Sequence, residues 1–184
     1  MGDFRIFIDT ETTGLSPHKH QILTIGIVIT DDKLNPVFEK EYLVRKEEWS
    51  TVNPMALRIN KIDLVTHNIK AKPERNVCKK IIKDIKKYTG SATQNIAIGH
   101  NLRFDINFLG AMFERHEIDF PFSYEFEDTM HMAKFLIASG NLCTPNAKLG
   151  TLCKHFDYKT DFHNALNDTK ATVHLYEKLN KIKS

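Results

Sequence analysis

The chain has 184 residues and a formal net charge of +3, with 41% hydrophobic and 27% charged residues. That balance is typical of a soluble globular protein, and the length suits a single domain, residues 1–184, able to bury a sizeable core. No apolar run is long enough to span a membrane, and eight glycines and six prolines leave no long disordered linker.

The N-terminus, MGDFRIFID, lacks the basic region, apolar stretch and small-residue cleavage site of a secretory signal. It reads instead as a first strand, residues 4–9, in a protein expected to be cytoplasmic. A turn, DTETTGL, follows. QILTIGIVITDD (21–32) is an Ile-rich second strand, and VFEKEYLV (37–44) alternates as a third. Asn35-Pro36 between them predicts a hairpin. The stretch around Asn53-Pro54 reads as loop. After Pro73 a basic helix runs to about Gly90. Lys72, Arg75, Lys79, Lys83 and Lys86 recur at three- and four-residue steps, and Val77, Ile81, Ile85 and Tyr88 form the opposite, apolar stripe. The basic face has two readings, a phosphate-attracting surface or a solvated helix face.

NIAIGH (95–100) is a short buried strand. The segment 102–116 is a helix with Phe104, Phe108, Leu109, Met112 and Phe113 inward. Glu125 to Asp128 makes a fifth strand, and helices follow from 129, over 148–156, and from about Asn164 onward. Cys78, Cys143 and Cys153 form no CxxC pair, which argues against a thiolate zinc site or a disulfide framework. Hairpin strands followed by strand–helix alternation predict one mixed sheet with helices on its faces.

Three segments carry chemistry: IDTETTG, GHNLRFD and HNALND. Asp9 and Glu11 lie two apart at a strand end and share a face. Both can reach one ion or a pair, and carboxylate oxygens suit Mg²⁺ or Mn²⁺. A bland alternative is a turn whose carboxylates bond nearby amides. Thr12, Thr13 and Gly14 offer backbone N–H groups in a tight turn where a nucleotide oxygen can be held. Asp105 shares its helix side with Phe108, Leu109 and Met112, the apolar side. The helix dipole alone would favour a first-turn Asp in any direction. His163 and Asp168 are five apart, roughly 140° around an ideal helix, so they converge only if His163 precedes the helix and Asp168 lies in its opening turns. Asp168 then aligns with Thr172, Leu175 and Leu179. His163 is the natural general base, since imidazole exchanges its proton near neutral pH. Ionised carboxylates converging in a fold call for pairing or for metal. Two cations about 4 Å apart would clamp a scissile phosphate. Asp128, at a strand end nearby, reads as a support for the site or as a helix cap.

The order Asp-x-Glu, Asp, His-x₄-Asp, carried by FIDTETTGL, IGHNLRFDINFL and HNALNDTKAT, resembles the DEDDh 3′–5′ exonucleases of the RNase H-like fold. The likeness runs from Phe4 to about Leu179 and is nearest to the bacterial proofreading exonuclease and its free-standing relatives. It implies an α/β fold with a mixed five-stranded sheet and helices on both faces. It also implies a two-metal hydrolase acting on the 3′ end of single-stranded nucleic acid, with a polymerase or another replication or repair protein as partner. Asp9, Glu11, Asp105 and Asp168 would bind the ions and His163 would be the base. Thr12, Thr13 and Leu15 would cradle the terminal nucleotide, and His100, Asn101 and Phe104 would line the same pocket. The oligoribonuclease branch carries DLEMTG and GNS where this chain has DTETTG and GHN. Left open are an exoribonuclease acting on short RNA and a non-catalytic nucleic-acid-binding module.

Overall fold

The computed structural model describes residues 4–183. Its elements in chain order are β1 (Arg5–Thr12), β2 (Ile22–Thr30), β3 (Pro36–Leu43), α1 (Pro54–Asn60), α2 (Leu64–Lys70), α3 (Glu74–Thr89), β4 (Asn95–Gly99), α4 (Arg103–Glu114), β5 (Phe122–Asp128), α5 (Thr129–Ala138), α6 (Leu149–His155) and α7 (Ala165–Lys183). The sheet order is β3-β2-β1-β4-β5. The first three strands are antiparallel, and β4 and β5 add in parallel. This is the expected mixed five-stranded sheet.

Every residue of β2 is buried, which is why its sequence is a nearly continuous apolar run: both faces of a central strand are covered. Alternation in β1 sorts the two layers. Ile6 and Ile8 pack with Val77, Ile81 and Ile85 of α3 and with Phe108, Leu109 and Met112 of α4. Phe7 points the other way, onto Tyr176 of α7. Beyond it, Ala133 and Leu136 of α5, Leu152 and Cys153 of α6, and Leu175 and Leu179 of α7 form a second core. Each buried Val, Leu, Ile, Phe or Met among them contributes about 1.5–3 kcal/mol by leaving water. The apolar stripe of α3 faces the sheet as expected, while Arg75, Lys79, Lys83 and Lys86 are exposed.

The structure departs from the sequence reading in three places. β1 continues through Asp9 to Thr12, because β2 offers backbone partners as far as Ile22; polar side chains do not end a strand whose ladder still has a neighbour. β5 begins at Phe122 rather than Glu125. The expected loop after β3 contains two seven-residue helices. Their signal was capping rather than periodicity. Asn53 accepts from the Met55 amide with Pro54 in the first turn, and Asp63 accepts from the amides of Val65 and Thr66.

α7 comes down onto the sheet at Gly26. A Cβ there would stand 2.2 Å from the carbonyl oxygen of Ala165, and the Thr169 hydroxyl reaches the Gly26 carbonyl at 3.2 Å. Gly26 is the register partner of Asp9 in β1 and of Glu41 in β3. The strand residue without a side chain therefore brings the first turns of α7 down beside Asp9. Gly26→Ala should destabilise the protein by about 1–3 kcal/mol, because a backbone oxygen cannot step aside as a flexible side chain can. The midpoint of urea unfolding measures this, and an unchanged midpoint would show that the contact does not seat the helix.

Candidate active site

Asp9 and Glu11 project from β1 on the same side as Phe7, the α7 side. The turn after them is built from its own side chains. The Thr12 hydroxyl donates to the Gly14 carbonyl at 2.6 Å, and that of Thr13 donates to the Thr51 carbonyl at 2.8 Å. The Thr13 amide donates to Gln21, and Asn60 of α1 donates to the Thr12 carbonyl at 3.1 Å. Gly14 lies under the ring of His20, which a Cβ would strike at 2.3 Å. The two threonines thus face inward and the Thr13 N–H already has a partner, which differs from the expected open row of donors. What the turn presents outward is Leu15, 79% exposed. α1, absent from the sequence reading, is the buttress that fixes this turn.

Asp105 comes from the other layer. It is buried in the first turn of α4, with the Thr10 hydroxyl donating to its Oδ1 at 2.6 Å. Thr10 lies between Asp9 and Glu11 and points to the opposite face, so it ties the α4 carboxylate to the strand that carries the other two. Nothing in the sequence marked it. Asp128 is the helix cap considered for it, and it reaches a second segment as well. It caps α5 through the Met130 amide, and it accepts from the Asn101 and Leu102 amides at 3.0 Å each, anchoring the start of α4. His100, bonded to the Thr129 hydroxyl, Asn101 in a left-handed conformation and Phe104, its ring tilted against that of Phe108 at 4.8 Å, surround that junction.

His163 stands on the loop before α7 and Asp168 in the helix's opening turns, the arrangement their spacing required. His163 is exposed and left-handed, with φ of 68°. Its amide donates to Asp168 Oδ2 at 3.0 Å. The loop is held from a distance as well, since Asn164 donates to Glu41 of β3 at 2.9 Å. Glu11, His163 and Asp168 offer ligand atoms that all lie within 4.8 Å of one another.

The electrostatics tie the remaining groups together. Burial, and then the charges of Asp105, Asp168 and Glu11, hold the Asp9 carboxyl well above the usual range. Burial pushes Glu11 up to about 8, aided by Asp168, Asp105 and Glu41. Asp105 is raised by burial against the pull of its Thr10 hydrogen bond. Burial also takes Asp168 to about 6, against the opposing His163 amide. The charges acting most strongly on Asp9 and Glu11 are all carboxylates. Asp168 Oδ1 is buried without a hydrogen-bond partner. An all-oxygen carboxylate set with an orphaned buried oxygen fits a hard divalent cation.

Residues 6–176 match the RNase_T family model, the exonuclease family. Over 180 residues the chain is 32% identical to the DNA polymerase III PolC-type of Oceanobacillus iheyensis, covering 96% of this chain and 11% of that polymerase. It is 28% identical over 184 residues to the Ribonuclease T of Buchnera aphidicola subsp. Baizongia pistaciae, covering 96% of this chain and 83% of that protein. Among solved structures, E. coli Exonuclease I in complex with a dT13 oligonucleotide superposes with a TM-score of 0.85 at 18% identity, over 98% of this chain and 42% of that one. The sheet and its two helical layers are therefore the RNase H-like fold of that protein. The chain spans a small part of the polymerase and less than half of Exonuclease I. The family match takes in all three acidic segments, and this chain belongs to the exonuclease family.

Proposed function

We propose that the chain is a metal-dependent 3′–5′ exonuclease that hydrolyses phosphodiester bonds at the 3′ end of single-stranded nucleic acid, DNA foremost, releasing nucleoside monophosphates. The observation that carries this reading is the convergence of four acidic side chains with an exposed imidazole beside them. Asp9, Glu11, Asp105 and Asp168 would hold two Mg²⁺ or Mn²⁺ ions. When bound, such ions stabilise the charge that develops on the attacking and leaving oxygens. His163 accepts the proton of the attacking water. Its exposure leaves the ring free to receive that proton, and the bond from its amide to Asp168 fixes where the ring is carried. Leu15, His100, Asn101 and Phe104 border the pocket for the terminal nucleotide, while Thr12, Thr13 and Gly14 hold the turn that presents Leu15. The 32% identity to a segment of a PolC-type polymerase supports a replication or repair polymerase as the partner class.

A second reading, exoribonuclease activity, is favoured by the match to a Ribonuclease T along most of that protein's length. Recognition of a 2′-hydroxyl separates the two. End-labelled DNA and RNA strands of matched sequence, digested with Mn²⁺ or Mg²⁺, should be shortened stepwise from the 3′ end, DNA faster, while Asp9→Ala should leave both intact. Equal degradation by wild type and variant would reject the mechanism.

His163→Ala should lower kcat by about 10²–10⁴-fold, the usual contribution of a positioned general base. A variant of wild-type rate would place the base elsewhere.

The raised carboxyls make a further prediction about stability. A group that holds its proton more tightly folded than unfolded stabilises the fold below its unfolded pKa, and that stability is lost as pH rises through the folded value. In chelator, the melting temperature should therefore fall as pH climbs from about 4.5 towards about 8, the span of the Glu11 shift. Mn²⁺ should reverse the fall, most strongly at the alkaline end, and Glu11→Gln should flatten it. A Glu11→Gln protein with the full wild-type fall would show that the site does not store this repulsion.

A further inference from the structure

Beside the acidic cluster a furrow runs along α6. A cavity of about 480 Å³ opens at His163 and Asp168 and is walled by Lys148 and Phe162. A second, of about 300 Å³, is walled by Lys154, Tyr158 and Lys159. Gly150 and Phe162 line both, so the two form one trough that starts at the general base, passes Phe162 and continues along α6.

The residues of this trough have a consistent chemistry. Lys148, Lys154 and Lys159 are exposed, and none of them forms an ion pair among the described residues. Asp157 is the one acid lining the outer cavity. Phe162 is half-buried, packed on the core of α5, α6 and α7. Gly150 opposite it adds no side chain; a Cβ there would come within 3.9 Å of the Phe162 ring. Tyr158 is held by stacking at 4.7 Å on His174. Unpaired ammonium groups interleaved with anchored aromatic rings are what a single nucleic-acid strand needs, with charge for its phosphates and flat faces for its bases. An acidic peptide would use the lysines but give the rings no stacking partner.

We propose that this trough holds the nucleotides on the 5′ side of the scissile phosphate, with Lys148, Lys154 and Lys159 at successive phosphates and Phe162 against a base. The proposal rests on the exonuclease reading for its location and names the path by which the strand reaches the site. Such a path explains why a site that removes terminal nucleotides would favour unpaired ends: the trough grips one strand by both its backbone and its base faces.

The test is equilibrium binding of a fluorescently labelled single DNA strand of about ten nucleotides, followed by anisotropy in chelator across a salt series. Changing Lys148, Lys154 and Lys159 together to Ala should weaken binding about tenfold and lower the slope of log affinity against log salt by about two, at about 0.7 per phosphate contact. Phe162→Ala should weaken binding about tenfold, the loss of one base stack, with an unchanged salt slope. A control triple, Lys79, Lys83 and Lys86 to Ala on α3, removes the same charge from the opposite layer and should stay within about twofold of wild type. Unchanged affinity in the trough triple, or an equal loss in the control triple, overturns the proposal. The exonuclease reading fails separately: a wild type that binds the strand but never shortens it with Mg²⁺ or Mn²⁺ sinks that reading and leaves the trough standing.

Discussion

The seat of α7 on β2 is the contact on which the rest depends. Asp9, Gly26 and Glu41 form one row across three strands. The middle member has no side chain, and the first turn of α7 lies on it. Without that approach, Asp168 and His163 would stand a side-chain's breadth further from Asp9 and Glu11, and the chemistry would fall apart while the sheet persisted. The other layer answers with α4, whose Asp105 reaches the same strand end through Thr10. Helices on opposite faces of the sheet thus meet at one strand terminus.

That meeting carries a penalty. Burial raises all four carboxyls, and the charges of their neighbours add to it at Asp9 and Glu11, so the folded chain carries these groups ionised only at a cost. Desolvated like charges are among the more destabilising features a core can contain. Fixed donors oppose the shift at two of them, Thr10 at Asp105 and the His163 amide at Asp168, and bonds from Asn60 to Thr12 and from Asn164 to Glu41 hold the segments that carry them.

Much of this could be read from the chain. β2, α3, α4 and α7 have strong periodicity or unbroken apolar runs, and the acidic residues stood out because they fall on faces that should be apolar. The five-residue separation of His163 from Asp168 even fixed which of them precedes the helix. What stayed hidden was local or distant in a way that pattern does not register. α1 and α2 are too short for a hydrophobic period and show only their caps. β1 looked finished at Asp9 because its last residues are polar, yet the ladder continues. Gly26, Glu41 and Thr10 matter through partners many residues away; Asn164 and Glu41 are 123 positions apart. Such pairings are properties of the assembled sheet, not of any window of sequence.

The two oxygens of Asp168 are used differently. One receives the amide of His163, while the other is sealed from solvent and bonded to nothing. A cation captured by the free oxygen need not compete with the loop for the same lone pairs. The same side chain therefore ties down the loop that carries His163 and keeps a second oxygen uncommitted.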